Sequence, residues 1–302
     1  CGIRADHIKL PAGSTEAEIT NKIRGLNEDP SVDGILVQLP LGDHIDSEAE
    51  RRITEEVTRR KDVDGFHTIN IGQLASRACN PQFVPCTPAG ILRLLETVCS
   101  NDLSGKFAVV MGRSDIVGNP VSHLLRSRNC TVTQMHRYST NVQEILALAD
   151  IVVVAIGQPG FVQGSWLKKG AVVIDVGINY VPDATKKSGE RLIGDVDFAS
   201  ALPVVSAITP VPGGVGPMTV AMQMENVLIA ATRRAEYEAS HPRGVTTLNP
   251  LTIQRPVPSD IEIARAQVPK TLNSLAREIG ILPSELELYG NTKAKVSCEI
   301  CL

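Results

Sequence analysis

Apolar positions along this chain recur with two periods, one of helices and one of buried strands. Thr15-x-x-Glu18 forms a capping box, and Ile19, Ile23 and Leu26 follow at helical spacing. This predicts a helix stopped by Asn27-Glu-Asp-Pro30. The run Gly34-Ile-Leu-Val-Gln-Leu39 predicts a buried strand closed by Pro40, and a second helix is expected over 47–59. Lys61-Asp-Val-Asp-Gly65 reads as a polar turn. From residue 88 the pattern becomes more regular. Ile91, Leu94, Leu95 and Val98 mark a helix, and strands are expected at 107–111, 130–133, 151–155 and 171–175. Gly112-Arg-Ser-Asp-Ile-Val-Gly118 turns from the first of these strands into a helix, and a short helix is expected over 141–149. Continuous β-branched runs separated by helices predict a parallel sheet covered on both faces. The fold class is therefore α/β, with a Rossmann-like doubly wound domain. The Gly/Pro-rich loop Thr209-Pro-Val-Pro-Gly-Gly-Val-Gly-Pro217 precedes a long helix expected over 218–238. A linker with four prolines spans 241–258, and an amphipathic helix is expected over 272–279. The last ~40 residues are too few to bury a core of their own.

Composition narrows the function classes. At ~100–200 residues per domain, 302 residues suggest two or three domains. The 43% hydrophobic and 21% charged content excludes wholesale disorder. A net charge of −3 and only 3% aromatics argue against nucleic acid as a partner. The longest apolar run, residues 151–156, is far short of the ~20 residues that span a bilayer, so no membrane partner is expected. Seven scattered cysteines do not form a disulfide framework and favour a reducing compartment. Cys298-Glu-Ile-Cys301 is a single CxxC without a second ligand pair, so no metal site is expected.

Chemistry-bearing features enter against this background. Gly112-Arg113-Ser114-x-x-x-Gly118 has small residues where backbone N–H groups and a helix N-terminus can approach a pyrophosphate. Ser114 replaces the second Gly of the dinucleotide fingerprint and Gly118 comes one residue late, so an ordinary turn remains open. The end of the next strand reads Thr133-Gln-Met-His136-Arg137, with no acid to hold a ribose 2′-OH. A basic residue there favours a 2′-phosphate, hence NADP; the alternative is a solvated loop. The loop Pro210–Pro217 offers rigid backbone with little side chain to a flat ligand, or is an irregular connector. Gln38, inside an apolar run, needs hydrogen-bond partners that a substrate amide would supply, or is an ordinary satisfied or edge-facing side chain. Asp62 and Asp64 read as solvated turn carboxylates. Cys86 reads as a small buried hydrophobe rather than a nucleophile. Tyr289-x-x-x-Lys293 fits a dehydrogenase pattern only by coincidence of spacing, since it lies far from the nucleotide fold.

Taken in order, Val37-Gln38-Leu39-Pro40-Leu41, Lys61-Asp-Val-Asp-Gly65, Pro85-Cys-Thr-Pro88, Gly112-Arg-Ser-x-Ile-Val-Gly118-x-Pro120, Gly157-Gln-Pro159, Asp175-x-Gly-Ile-Asn179, Gly194-Asp195-Val196 and Pro210-Val-Pro-Gly-Gly-Val-Gly-Pro-Met-Thr219 form a series. It resembles the bifunctional methylenetetrahydrofolate dehydrogenase/methenyltetrahydrofolate cyclohydrolase family over roughly residues 2–235. Pro256-Val-Pro-Ser-Asp-Ile-Glu-Ile263, Leu275-Ala-Arg-Glu-Ile-Gly280 and Glu287-Leu-Tyr-Gly-x-x-Lys-Ala-Lys-Val296 resemble the beginning of a formate–tetrahydrofolate ligase domain. The whole resembles the N-terminal part of the eukaryotic C1-tetrahydrofolate synthase family.

The resemblance implies a domain plan: residues 1–87 with 218–238 as a folate domain, 88–217 as a Rossmann NADP domain, and 239–302 as a linker and ligase start. Gln38 and Asp64 become the candidate catalytic residues. Val37, Gln38 and Leu39 would line the folate site, and Asp64 would hydrogen-bond the pterin. Gly112, Arg113 and Ser114 would hold NADP phosphates, with Arg137 at the 2′-phosphate. Pro212, Gly213, Gly214, Val215 and Gly216 would close over both ligands, and Ile178 would lie near the nicotinamide. The implied reaction is hydride transfer from the methylene bridge of a folate substrate to NADP, then hydrolysis to 10-formyltetrahydrofolate. A homodimer is implied, in the cytoplasm, with the mitochondrion left open. Three departures from the family pattern bear on this. The family's Tyr-x-x-x-Lys, whose Lys drives hydrolysis, falls just upstream of the segment resembling residues 1–8, so hydrolysis by this chain is expected to be impaired. Arg137 stands where the family has Ser. The ligase P-loop is absent, so no ligase activity is expected. The alternatives are a non-catalytic NADP/folate-binding isoform or an incomplete gene model.

Overall fold

The computed structural model describes residues 2–76, 79–99, 102–186, 189–240, 259, 262, 270–279, 281, 285–290 and 293–296. The chain divides into two compact units, Cys1–Ala230 and Ala231–Leu302.

The first unit centres on five parallel strands: β1 (Phe107–Met111), β2 (Thr131–Met135), β3 (Ile151–Val154), β4 (Val172–Asp175) and β7 (Ala207–Ile208). Their order in the sheet is β2-β1-β3-β4-β7. Side chains alternate across a strand, and both faces here are covered. Ala108, Val110, Ile151, Val153, Val172 and Ile174 pack under helices α4 (Cys86–Val98) and α5 (Gly118–Ser127), against Ile91, Leu95, Val121 and Leu125. On the opposite face Val109, Met111, Val152, Val154 and Val173 meet Leu146 of α6 (Val142–Leu146), Leu167 beside a 3-10 turn, and Ala201 of α7 (Phe198–Ala201). Burying each such Val, Ile or Leu contributes about 1.5–3 kcal/mol. The doubly wound reading is correct. An antiparallel hairpin, β5 (Asn179–Pro182) and β6 (Glu190–Ile193), extends beyond β4.

Ahead of the sheet, α1 (Glu16–Glu28) begins with the predicted capping box: the Glu18 N–H donates to the Thr15 hydroxyl, and the Thr15 N–H to the Glu18 carboxylate. Ile19 and Ile23 pack on Ile53 of α2 (Ser47–Glu55), on Val57 and on Ile35. The expected buried strand at 34–39 is not formed. Ile35 makes a single bridge to Asp62, its N–H donating to the Lys61 carbonyl at 2.7 Å. Leu36 and Gln38 face solvent while Ile35 is buried and Val37 and Leu39 are partly buried, so the segment lacks the two-sided cover that an apolar run suggested. Helix α2 stops at Glu55 rather than 59, because Glu56 and Val57 donate to Ile53 and Thr54 and so tighten the last turn. The Thr58 N–H is then taken by the Asn27 side chain at 3.0 Å. Helix α3 (Thr68–Ala75) follows, and α8 (Val215–Ser240) starts three residues earlier than expected, directly from the Gly/Pro loop.

In the second unit, α9 (Leu272–Ile279) matches the expected amphipathic helix, and β8 (Leu286–Leu288) pairs with β9 (Ala294–Val296). Tyr289 and Lys293 close this hairpin through a 2.8 Å backbone bond. Lys295 rather than Lys293 lies over the Tyr289 ring, at 5.1 Å. The linker at 241–258 and Cys298 and Cys301 lie outside the described residues. Among the described residues no helix is long and apolar enough to cross a membrane, and no three His, Cys, Asp or Glu side chains gather as a metal site.

Candidate active site

The chain leaves β1 toward β2 on one side, and β3 lies on the other. Ligands of open α/β sheets bind at the carboxyl ends of the strands at such a reversal. Met111 is level with Met135 of β2 and Val154 of β3, so the segments after these strands emerge together. Gly112 sits at φ +121°, where a Cβ would collide with the Ala155 carbonyl oxygen; a Cβ at Gly118 would collide with Gly112 itself. Only Gly permits this close turn, which leaves backbone exposed at the start of α5. The Ser114 hydroxyl oxygen accepts from the N–H groups of Val117 and Gly118, each at 3.3 Å, and keeps its own proton to donate.

Two guanidinium groups flank this turn. Arg113 and Arg137 each lie two residues beyond the level pair Met111 and Met135, on strands ~4.8 Å apart. Both are exposed, and among the described residues neither forms an ion pair. Arg137 lies over the Tyr138 ring, 4.8 Å from its centroid. The turn carrying it is closed by the Ser139 N–H donating to the His136 carbonyl at 2.8 Å. A cradle without Cβ atoms, a free hydroxyl and two unpaired guanidiniums fit the anionic groups of a phosphorylated dinucleotide.

Beyond β3, two buried carboxylates fix the loop. Asp195 accepts from the N–H groups of Ile156 (2.7 Å) and Gly157 (2.9 Å) and from the Asn179 side chain (2.8 Å). Asp175 accepts from the N–H groups of Gly177, Asp195 and Val196, each at 2.9 Å. Burial raises the Asp175 pKa, and these three donors work against that rise. Ile178, next along the chain, projects into solvent.

Helix α8 connects this region to the other half of the site. Val215 is buried in the core under α4, so its backbone rather than its side chain faces any ligand; Pro212, Gly213 and Gly216 are exposed and Gly214 is partly buried. Along the same helix face, the Thr219 hydroxyl meets the Thr87 hydroxyl at 3.0 Å, and the Gln223 amide donates to Asp64 at 3.0 Å. Eight residues of helix put Asp64 about 12 Å along the axis from the Gly/Pro loop. The buried Asn226 amide then donates to the carbonyls of Val63 (2.9 Å) and Val84 (3.0 Å).

The backbone N–H of Val37 faces the Asp64 carboxyl and works against the rise of its pKa, so two of the residues assigned to the folate side meet here. Burial, and secondly the charge of Asp62, push the Asp64 pKa up to about 7. This carboxyl therefore both accepts and donates near neutral pH. Asp62, expected as a solvated turn carboxylate, is instead buried. It accepts from the N–H groups of Phe66 (3.1 Å) and His67 (2.9 Å) and from the Asn70 side chain (2.7 Å), and so shapes the turn. Gln38 is exposed, not buried, and its amide donates to the adjoining Leu39 carbonyl at 3.1 Å; Leu39 is partly buried. The Cys86 thiol is held against the Val63 carbonyl at 3.3 Å, and burial together with the Asp64 charge pushes its pKa up to about 12. That is the opposite of an activated nucleophile.

Sequence reasoning gave no role to Gln223, Asn226, Asp175 or Asp195. The available signal for the first two was polar residues three apart on one face of an otherwise apolar helix. For the second two it was an acid at or near a strand end with Gly close by, in Asp175-x-Gly177 and Gly194-Asp195.

Comparison with known proteins agrees with this geometry. The NAD(P)-binding domain of tetrahydrofolate dehydrogenase/cyclohydrolase matches residues 85–235, and the catalytic domain of the same family matches residues 1–64. Formate–tetrahydrofolate ligase matches residues 258–302. The chain is 54% identical over 299 residues to the cytoplasmic C-1-tetrahydrofolate synthase of Schizosaccharomyces pombe, covering 99% of this chain and 31% of that protein. It is 53% identical over 292 residues to the mitochondrial C-1-tetrahydrofolate synthase of Saccharomyces cerevisiae, covering 97% and 29%. The chain thus spans about a third of the length of these relatives. Among solved structures it is similar to the Trypanosoma brucei methylenetetrahydrofolate dehydrogenase-cyclohydrolase complexed with NADP cofactor and inhibitor. That match has a TM-score of 0.73 and 42% identity over 78% of each chain. The 5,10-methylenetetrahydrofolate dehydrogenase of the silkworm, Bombyx mori, matches with a TM-score of 0.67 and 41% identity, over 74% of this chain and 76% of that one.

Proposed function

Since the chain belongs to the tetrahydrofolate dehydrogenase/cyclohydrolase family, we propose that it oxidises 5,10-methylenetetrahydrofolate to 5,10-methenyltetrahydrofolate with NADP, and that the site also serves hydrolysis to 10-formyltetrahydrofolate. The observation that carries this reading is helix α8. Its first residues leave the Gly/Pro loop beside the sheet, and its Gln223 grips Asp64, about 12 Å further along the axis. That spacing leaves room for a nucleotide ring and a folate ring against one rigid element.

In this reading Gly112, Arg113 and Ser114 receive the nucleotide phosphates, and Arg137 receives the 2′-phosphate that distinguishes NADP from NAD. The exposed Ile178 provides apolar surface near the nicotinamide. Val37, Gln38 and Leu39 line the folate side. Asp64, poised near neutrality, exchanges hydrogen bonds with the pterin, which presents donors and acceptors side by side. Pro212, Gly213, Gly214, Val215 and Gly216 close over both rings with their backbone. A hydride leaves the methylene carbon for the nicotinamide, and the nitrogen lone pairs beside that carbon stabilise the cation left behind. Water then adds to the cation, a proton leaves, and one carbon–nitrogen bond opens. The protein's part is chiefly to hold the donor and acceptor carbons in register. The domain plan follows: residues 1–87 with 218–238 for folate, 88–217 for NADP, and 239–302 as a linker and ligase start. The working form is a homodimer. Relatives carry both cytoplasmic and mitochondrial names, and of the two we place this protein in the cytoplasm.

The test is nucleotide reduction, followed at 340 nm, with 5,10-methylenetetrahydrofolate and either NADP or NAD. The expected result is a kcat/KM at least tenfold higher for NADP, narrowing in Arg137→Ala. Equal use of both nucleotides would refute the assignment of Arg137.

A further inference from the structure

The loop at 112–119 carries three hydrogen-bond acceptors that would oppose an anion. These are the Gly112 carbonyl at its start, the Asp115 carboxylate in its middle and the Asn119 amide oxygen at its end. All three are occupied by protein. The single side-chain amide of Gln134, on β2, donates to the Gly112 carbonyl at 3.1 Å and to the Asn119 amide oxygen at 2.9 Å. The Asn119 amide donates in turn to Asp115 at 2.9 Å. Gln134 thus clips both ends of the loop to the neighbouring strand, and through Asn119 it governs where the one acid of the loop lies. The Gly112 N–H is already committed to the Met135 carbonyl at 2.9 Å, so strand and loop are joined by backbone and side chain together.

We propose that Gln134 is a positioning residue for nucleotide binding. It acts through Asn119 and Asp115 to hold the acceptors of the 112–119 loop away from the phosphates and leave Arg113, Ser114 and the helix N-terminus facing them. The inference rests on reading this loop as the NADP site. Without the Gln134 amide, the Gly112 carbonyl and Asn119 turn to other partners and the Asp115 charge is free to swing toward the phosphates. Gln134 belongs neither to the Asp175–Asp195 cluster nor to the buried clusters on the two faces of the sheet.

The experiment is fluorescence titration of the 302-residue chain with NADPH, for the wild type, Gln134→Leu and Gln134→Glu, at pH 8. Two lost hydrogen bonds at a partly exposed site predict about three- to tenfold weaker NADPH binding for Gln134→Leu. In turnover the weakening falls on the KM for NADP, while kcat and the KM for folate stay within about twofold. Gln134→Glu places an ionised carboxylate against two acceptors. It should bind NADPH more weakly than Gln134→Leu. Wild-type affinity in Gln134→Leu overturns the inference. So does an equal loss in folate KM together with a lowered melting temperature, which would mark a purely structural role. A wild-type chain that fails to bind NADPH overturns the reading of the loop itself.

Discussion

Replacing Asp64 by Asn isolates the electrostatic tension in the turn that carries Asp62 and Asp64. The Asp64 pKa is pushed up to about 7 from an ordinary 3.8, first by burial and then by the charge of Asp62. The folded state therefore holds a proton at Asp64 that the unfolded chain has already released between these values. By linkage, stability falls as pH rises from about 4 to about 7 and then levels off. Taken at face value, the displacement is about 4 kcal/mol when Asp64 is fully ionised. Water reaching this partly buried side chain reduces that to about 1–2 kcal/mol. The Asp64→Asn side chain keeps an oxygen for the Gln223 amide but carries no charge. Urea unfolding of both proteins at pH 5 and pH 8 reads the effect. The wild type should lose more stability than Asp64→Asn over that interval, by up to about 1 kcal/mol because part of the fall comes below pH 5, with the variant the more stable at pH 8. Groups remote from Asp64 are common to both proteins and cancel in the comparison. Identical pH dependence in the two proteins would refute the account of Asp64, and a variant less stable at pH 8 would reverse its sign.

Three further outcomes follow from the same geometry. Gly112→Ala drives a methyl group into the Ala155 carbonyl oxygen at φ +121°, so it should abolish measurable NADPH binding and destabilise by about 1–3 kcal/mol; wild-type affinity would contradict the close turn. Asp195→Ala orphans the N–H groups of Ile156 and Gly157 and the Asn179 amide, and should cost about 3–5 kcal/mol in chemical denaturation; a loss below about 1 kcal/mol would mean the carboxylate does not hold the loop. With its pKa pushed up to about 12, Cys86 should escape iodoacetamide in the native protein at pH 8 while exposed Cys79 is modified; peptide mapping that finds Cys86 alkylated first would contradict its burial.

The doubly wound sheet was legible because its strands are buried on both faces, and such strands read as unbroken runs, as in Ile151-Val-Val-Val154. The same rule misread residues 34–39, where an equally apolar run makes one bridge and turns Leu36 and Gln38 to solvent. Periodicity could not separate the two, because what differs is the number of neighbouring strands, a property of the tertiary fold. The turn at 112–118 was half legible. Gly112 and Gly118 are local signals, whereas Gln134 reaches Gly112 from 22 residues away. Asp62 and Asp64 look alike in sequence. One became a buried brace for its turn and the other the carboxyl facing the site, and helix α8 makes the difference. Gln223 meets Asp64 across 159 residues and Asn226 meets Val63 across 163, contacts that no local pattern encodes.

Direct hydride passage between two rings held along α8 is the central claim, and isotope transfer tests it most directly. The chain would be supplied with NADP and tetrahydrofolate carrying a dideuterated methylene bridge, and the reduced nucleotide analysed by mass spectrometry. The account predicts NADPH carrying one deuterium per molecule, undiluted by solvent, with the other retained on the methenyl carbon. Reduced nucleotide without deuterium, or no reduction above the rate without protein, would contradict it.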